Sequence, residues 1–154
     1  MPDLKKPGPE REHELNRALQ ALFYAFRAII ARPDAVLAEQ GLSRVHHRIL
    51  FFVGRSPGLS VNELLGILNV TKQSLNGPLR RLTELGYIEA GTDARDRRVK
   101  RLFLTASGQA LEAVLSGDQR QRFQKVFAEL GARDEAAWRR VMERLAEGLD
   151  RKRK

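Results

Sequence analysis

From Leu15 onward, apolar residues recur at steps of three and four: Leu15, Leu19, Leu22, Phe23, Phe26, Ile29 and Ile30. That spacing is the stripe of an amphipathic helix, expected to end near Pro33. A second helix, Arg44 to Gly54 behind a Ser43 cap, is apolar nearly all round (Val45, Ile49, Leu50, Phe51, Phe52, Val53) and is therefore expected to be central. Pro57-Gly58 closes it with a turn. Ser60-Val61-Asn62-Glu63 then fits a capping box, with Leu59 and Leu64 placed as a hydrophobic staple, and opens a short helix to Leu68. Asn69-Val70 makes a turn, Thr71 caps the next helix, Lys72 to Leu85, and Gly86 ends it as a left-handed residue. Leu75, Leu79, Leu82 and Leu85 mark its buried face, and Lys72, Gln73, Asn76, Arg80 and Thr83 the opposite one. Gly77-Pro78 predicts a kink or a division within it, because proline lacks the amide donor of a helix interior.

Period two replaces the helical period after Gly86. Tyr87-Ile88-Glu89 reads as a strand and Val99 to Leu104 as its partner, with Leu102 and Leu104 on one face and Arg101 and Phe103 on the other. Thr105 caps a long helix striped by Leu111, Val114, Leu115, Phe123, Val126, Phe127 and Leu130, with a polar stretch, Gly117 to Arg122, expected to bend or expose it. Beyond Gly131 a last helix carries Trp138, Val141, Met142, Leu145 and Leu149. The fold class is mainly α with a small β-hairpin wing: a winged helix-turn-helix with N- and C-terminal dimerisation helices. Residues 1–10 form a flexible lead-in, 11–42 an N-terminal dimerisation helix and loop, 43–105 the DNA-binding lobe, 106–150 the C-terminal dimerisation helices, and 151–154 a basic tail.

Composition narrows the function. The 154 residues carry 28 Lys and Arg against 19 Asp and Glu, a net charge of +9, which favours a polyanionic partner. Hydrophobic residues make up 42%, enough for a packed core. The absence of cysteine excludes disulfides, thiol redox sensing and thiolate metal sites. No apolar run has membrane-spanning length and the N-terminus lacks a signal-peptide centre, so a cytoplasmic protein without a membrane partner is expected. Enzymatic signatures (a phosphate-binding glycine loop, a nucleophile elbow, a His-Glu metal motif) are missing, and no cofactor is expected.

Two clusters carry candidate chemistry. A helix entering the DNA major groove reads bases from its first turns. Lys72 and Gln73 have suitable donors, Ser74 and Asn76 add base or phosphate contacts, and Arg80 and Arg81 fall where phosphates run. In the hairpin tip, Asp96 lies two residues before Arg98, so in an extended loop both point one way and the carboxylate can hold the guanidinium for a minor groove. Arg95, Arg97, Lys100 and Arg101 are assigned to phosphates. Without this context each cluster is a solvated polar surface. Adjacent histidines His46 and His47 diverge by about 100° on a helix, which suits the lining of a pocket, or ordinary packing, better than one metal ion. Two alternatives stand beside DNA binding: a winged helix that contacts an acidic protein, and a metal- or haem-responsive sensor using His46 or His47.

The chain resembles the MarR family of bacterial winged-helix regulators. The residues that carry the likeness are Leu59-Ser60-Val61-Asn62-Glu63-Leu64-Leu65, Val70-Thr71-Lys72-Gln73-Ser74-Leu75, Leu82-Thr83-Glu84-Leu85-Gly86-Tyr87-Ile88, and Asp96-Arg97-Arg98 through Leu104-Thr105-Ala106-Ser107-Gly108. The run from His46-His47-Arg48 to Leu75 is similar to the PetP subgroup. The resemblance implies a homodimer with interleaved terminal helices, binding double-stranded DNA at a palindromic operator, commonly as a repressor. It further implies release by a small aromatic or acidic effector in a crevice that here would draw on Phe23, Phe26, His46, His47 and Phe51. Ala90 stands where the family often has arginine, and Pro78 interrupts the recognition helix; both bear on sequence specificity.

Overall fold

A computed structural model describes residues 5–149. In chain order the elements are α1 (Pro9–Glu39), α2 (Arg44–Arg55), β1 (Leu59–Ser60), α3 (Val61–Leu68), α4 (Lys72–Glu84), β2 (Ile88–Thr92), β3 (Lys100–Leu104), α5 (Ala106–Leu130) and α6 (Ala132–Ala146). Residues 1–4 of the lead-in and the tail at 151–154 lie outside the described residues. The lead-in is shorter than its composition suggests, because α1 starts at Pro9, in the first helical position where a missing amide donor costs nothing.

The first helix does not stop at Pro33 but runs six residues further to Glu39. Proline at 33 leaves the Ile29 carbonyl, four residues back, without its helical donor. Gln119 of α5 fills the vacancy: its Nε2 donates to that carbonyl at 3.2 Å. Pro33 itself is buried, and Leu37, one turn on, is fully buried in the core. The polar stretch Gly117–Arg122 likewise does not interrupt α5, which is unbroken, although Arg120, Gln121 and Arg122 are exposed. It forms a seam instead: Ser116 just before it meets His47 of α2, and Asp118 approaches Arg32 of α1 at 3.9 Å.

Around α2 lies the core that its all-round apolar pattern predicts. Ile49, Leu50 and Val53 are fully buried against Leu64, Leu75, Leu82, Leu102 and Leu115. The sheet has three strands rather than two, in the order β1-β3-β2, all antiparallel. The extra strand, with Leu59 opposite Leu102 and Ser60 opposite Arg101, is too short to carry a period and is made by register alone. Ser60 Oγ accepts the Glu63 amide at 3.1 Å, so the N-cap forms, while the Glu63 carboxylate reaches Arg101 rather than closing the box. A Schellman pair ends α4, with Gly86 at φ 79°, its amide on Thr83 O and the Tyr87 amide on Leu82 O. Despite Pro78, α4 is a single undivided helix.

The terminal helices pack differently. The stripes of α1, α5 and α6 stay open in the single chain: Leu19, Phe23, Val126, Leu130, Val141 and Leu145 are all exposed. Phe123, Phe127 and Trp138 cluster at 5.1–5.5 Å between ring centres and join α6 to α5. Among the described residues no helix is long and apolar enough to cross a membrane.

Candidate nucleic-acid interface

Thr71 sets up the first cluster. Its Oγ1 accepts the Ser74 amide at 3.2 Å, and Ser74 Oγ donates to the Thr71 carbonyl at 3.0 Å, so the hydroxyl of Ser74 is turned back into the cap. Burial of Leu75 and Leu82 fixes the rotation of α4. Lys72, Gln73, Asn76, Arg80 and Arg81 are thereby exposed, and no ion pair holds the three cations among the described residues. Arg81 has a second neighbour: the His46 imidazole is held below its ordinary value by burial, and the Arg81 charge pushes the same way.

The wing carries the second cluster, and Asp96 does hold Arg98, though through a tight turn rather than an extended loop: the Val99 amide donates to the Asp96 carbonyl at 3.0 Å. Arg98 donates from Nε to Asp96 Oδ1 at 3.1 Å and from Nη2 to Oδ2 at 3.2 Å, while its amide bonds Oδ1 at 3.0 Å. The Arg98 side chain is nonetheless 91% exposed. This is a guanidinium held by its base with its outer edge in solvent. The Arg98 hydrogen bonds hold the Asp96 carboxyl below the usual carboxylate range. Arg95, Arg97 and Lys100 are exposed beside it. Arg101, also assigned to phosphate by its residue type, is turned inward onto Asp93, Glu63 and the Gly58 carbonyl. Sequence alone gave no signal for that, because the partners are up to 43 residues away.

A crevice of about 160 Å³ lies between α1, α2 and α5, lined by Phe26, Ile29, Ile30, Arg44, His47, Arg48, Phe51 and Gln119. It gathers three of the five residues named for a pocket. Phe23 is not among its walls; it lies about a turn earlier on α1, exposed and edge-on to Tyr24. His46 points elsewhere and accepts the Ser43 amide on Nδ1 at 2.9 Å, serving the cap of α2. His47 Nε2 meets Ser116 Oγ at 2.9 Å in a buried contact. The two imidazoles thus have separate partners, and no group of three metal-ligating side chains occurs among the described residues. Spacing did not reveal Arg44, which stacks 5.3 Å from the Phe26 ring and ion-pairs with Asp34 at 2.9 Å. Its Nε is buried without a partner among the described residues.

A capped two-helix unit, an arginine-bearing antiparallel wing and a basic outer surface define a winged helix-turn-helix protein of the DNA-binding class. The MarR family model matches residues 40–99, the span from the loop before α2 to the wing. The chain is 38% identical to the HTH-type transcriptional regulator PetP of Rhodobacter capsulatus over 148 residues, 93% of this chain and 89% of that one. It is 32% identical to an HTH-type transcriptional repressor of Mycobacterium tuberculosis over 126 residues, covering 80% and 90%. Its fold is similar to that of Streptococcus pneumoniae FabT crystallised in complex with DNA, with a TM-score of 0.74 and 20% identity over 86% of this chain and 95% of that one. The chain belongs to the MarR family of DNA-binding transcriptional regulators. Its relatives are regulators, not enzymes.

Proposed function

We propose that this regulator binds a palindromic operator as a homodimer, represses from it, and is released by a small aromatic or acidic effector. The observation that carries the reading is the pairing of an unengaged polar face on α4 with an exposed Arg98 braced by Asp96. In a two-fold dimer, two α4 helices enter successive major grooves about one turn apart. Lys72 and Gln73 read base edges there, Asn76 adds a base or phosphate contact, Arg80 and Arg81 meet phosphates, and Ser74 serves the cap that aims them. Arg98 enters the minor groove, with Arg95, Arg97 and Lys100 on the flanking phosphates. The open stripes of α1, α5 and α6 supply the dimer contact, since a lone subunit rarely exposes so continuous an apolar surface. Repression is the activity named for the mycobacterial relative. The crevice favours an effector with an apolar ring and an anionic end, because Arg48, which has no ion pair among the described residues, shares its lining with aromatic and aliphatic walls, the Arg44 charge being already met by Asp34.

Selection of duplexes from a random-sequence pool, followed by titration against salt, tests the reading. A dimer neutralising about 6–10 phosphates should lose on the order of 10³–10⁵ in affinity between ~50 and ~200 mM salt. Failure to enrich any duplex, or salt-insensitive binding, overturns it.

A further inference from the structure

Arg101 lies on β3, at the root of the wing. Its Nε and Nη2 donate to Asp93 Oδ2 at 2.9 and 2.6 Å. Its Nη1 donates to Glu63 Oε1 at 3.1 Å and to the Gly58 carbonyl at 3.3 Å. One planar fork therefore joins β3, the loop just after β2, the first turn of α3 and the turn before β1. Asp93 is itself anchored: Oδ1 accepts the Arg95 amide at 2.7 Å, and its own amide donates to Val99 O at 3.0 Å. These hydrogen bonds, the Arg95 amide first and then Arg101, keep the Asp93 carboxyl ionised below the usual carboxylate range.

A two-stranded ribbon is marginal on its own, and β1 adds only two residue pairs to hold this one to the lobe. The guanidinium supplies the missing tie. Its planar array of donors can serve three acceptors at fixed angles, which a lysine ammonium on a flexible stem does not reproduce. Four of its five N–H donors are occupied within the protein rather than offered to phosphate.

We propose that Arg101 is a positioning residue for DNA recognition, locking the wing to the start of α3 and so fixing where Arg98 stands relative to α4. The proposal rests on the DNA-binding arrangement described above. It makes an unusual prediction about sign. Asp93 and Glu63 are carboxylates near a polyanion, so neutralising either should tighten DNA binding if only charge mattered. As clamp partners, they should weaken it when neutralised.

The experiment measures affinity for a duplex that the wild-type protein selects from a random pool, using Asp93→Asn, Glu63→Gln, Arg101→Met and Arg101→Lys. Each variant is first checked for a cooperative melting transition above the assay temperature. Affinity should fall roughly fivefold or more in Asp93→Asn and Arg101→Met, with a smaller fall in Glu63→Gln and no rescue by lysine. In an Arg98→Ala background, Arg101→Met should add little, because the clamp acts through Arg98. Tighter binding by the two carboxylate variants, or full additivity with Arg98→Ala, overturns the proposal in favour of a plain phosphate contact. Amide hydrogen exchange of residues 93–99 without DNA separates the two readings. Faster exchange in Arg101→Met supports the clamp even if no duplex is selected, which would defeat the DNA arrangement alone. Unchanged protection overturns the clamp whatever the DNA result.

Discussion

Replacing Gly108 by alanine should be among the most damaging single-methyl changes in this chain. Gly108 is buried in the first turn of α5, against the backbone of Tyr87. A Cβ there would interpenetrate the Tyr87 carbonyl oxygen and stand 2.9 Å from its carbonyl carbon. The oxygen is the limiting contact, and restoring an ordinary C···O separation of about 3.3–3.6 Å requires the two backbones to part by more than about 1 Å. The obstacle is main chain, so no side-chain rotation relieves it. Three hydrogen bonds cross this junction: Thr105 N to Tyr87 O at 3.1 Å, Ser107 Oγ to Gly86 O at 2.9 Å, and Thr105 Oγ1 to Gly86 O. Parting on that scale carries the first to about 4 Å or more, beyond hydrogen-bonding range. At about 1 kcal/mol net for each bond, the loss is about 3 kcal/mol, a large share of the ~5–15 kcal/mol that holds a domain folded. Urea and thermal melts at one protein concentration, compared with the wild type, measure it; the concentration is fixed because association contributes to stability. Gly66→Ala is the control. Its Cβ meets nothing within 4 Å in α3, so it should stabilise by about 0.5–1 kcal/mol. A Gly108→Ala protein within ~0.5 kcal/mol of wild type would refute the close approach of α5 to the recognition-helix end.

Three further outcomes follow from single contacts. Arg98→Ala should weaken binding to a selected duplex by about 5- to 150-fold, on the scale of about 1–3 kcal/mol for a groove contact, and Asp96→Ala should move the same way although it removes a negative charge; wild-type affinity in both variants by fluorescence anisotropy would defeat the minor-groove assignment. Burial pushes the His47 imidazole below its ordinary value of 6.5, against the pull of Glu112 and Asp34 and with that of Arg48. The unfolded chain then takes up the proton first, so stability present above pH 6.5 is lost as pH falls toward the folded-state value. Melting temperature should drop below that pH, and His47→Gln should flatten the drop; an identical profile in the variant excludes His47 as its source. Gln119→Leu should cost about 1–2 kcal/mol by orphaning the Ile29 carbonyl, and Pro33→Ala should recover part of it by restoring a helical donor; melts showing no recovery would mean the carbonyl never depended on Gln119.

Much of this molecule was fixed by local chemistry that a reader of the chain can see. Periods of three and four place α1, α5 and α6, and an all-round apolar run between Ser43 and Pro57 places α2. Ser60, Thr71 and Thr105 each accept an amide three residues on, and Gly86 takes the left-handed turn, so element boundaries in the lobe follow from short-range hydrogen bonds. The Asp96–Arg98 fork was legible for the same reason, its partners being two residues apart.

What tertiary structure decided involves partners far apart along the chain. Pro33 signals a helix end, yet Gln119, 86 positions later, supplies the donor that lets α1 continue. Arg101 has the composition of a phosphate contact, and only the meeting of β3 with α3 and the wing loop turns it inward. His46 and His47 are neighbours in sequence, and their roles part because one reaches the cap of its own helix and the other a serine 69 residues distant. Sequence periodicity records which face of an element is apolar, because each side chain's direction is set by local dihedral angles. It does not record which distant polar group will arrive to satisfy a buried donor or acceptor, since that depends on how the elements pack.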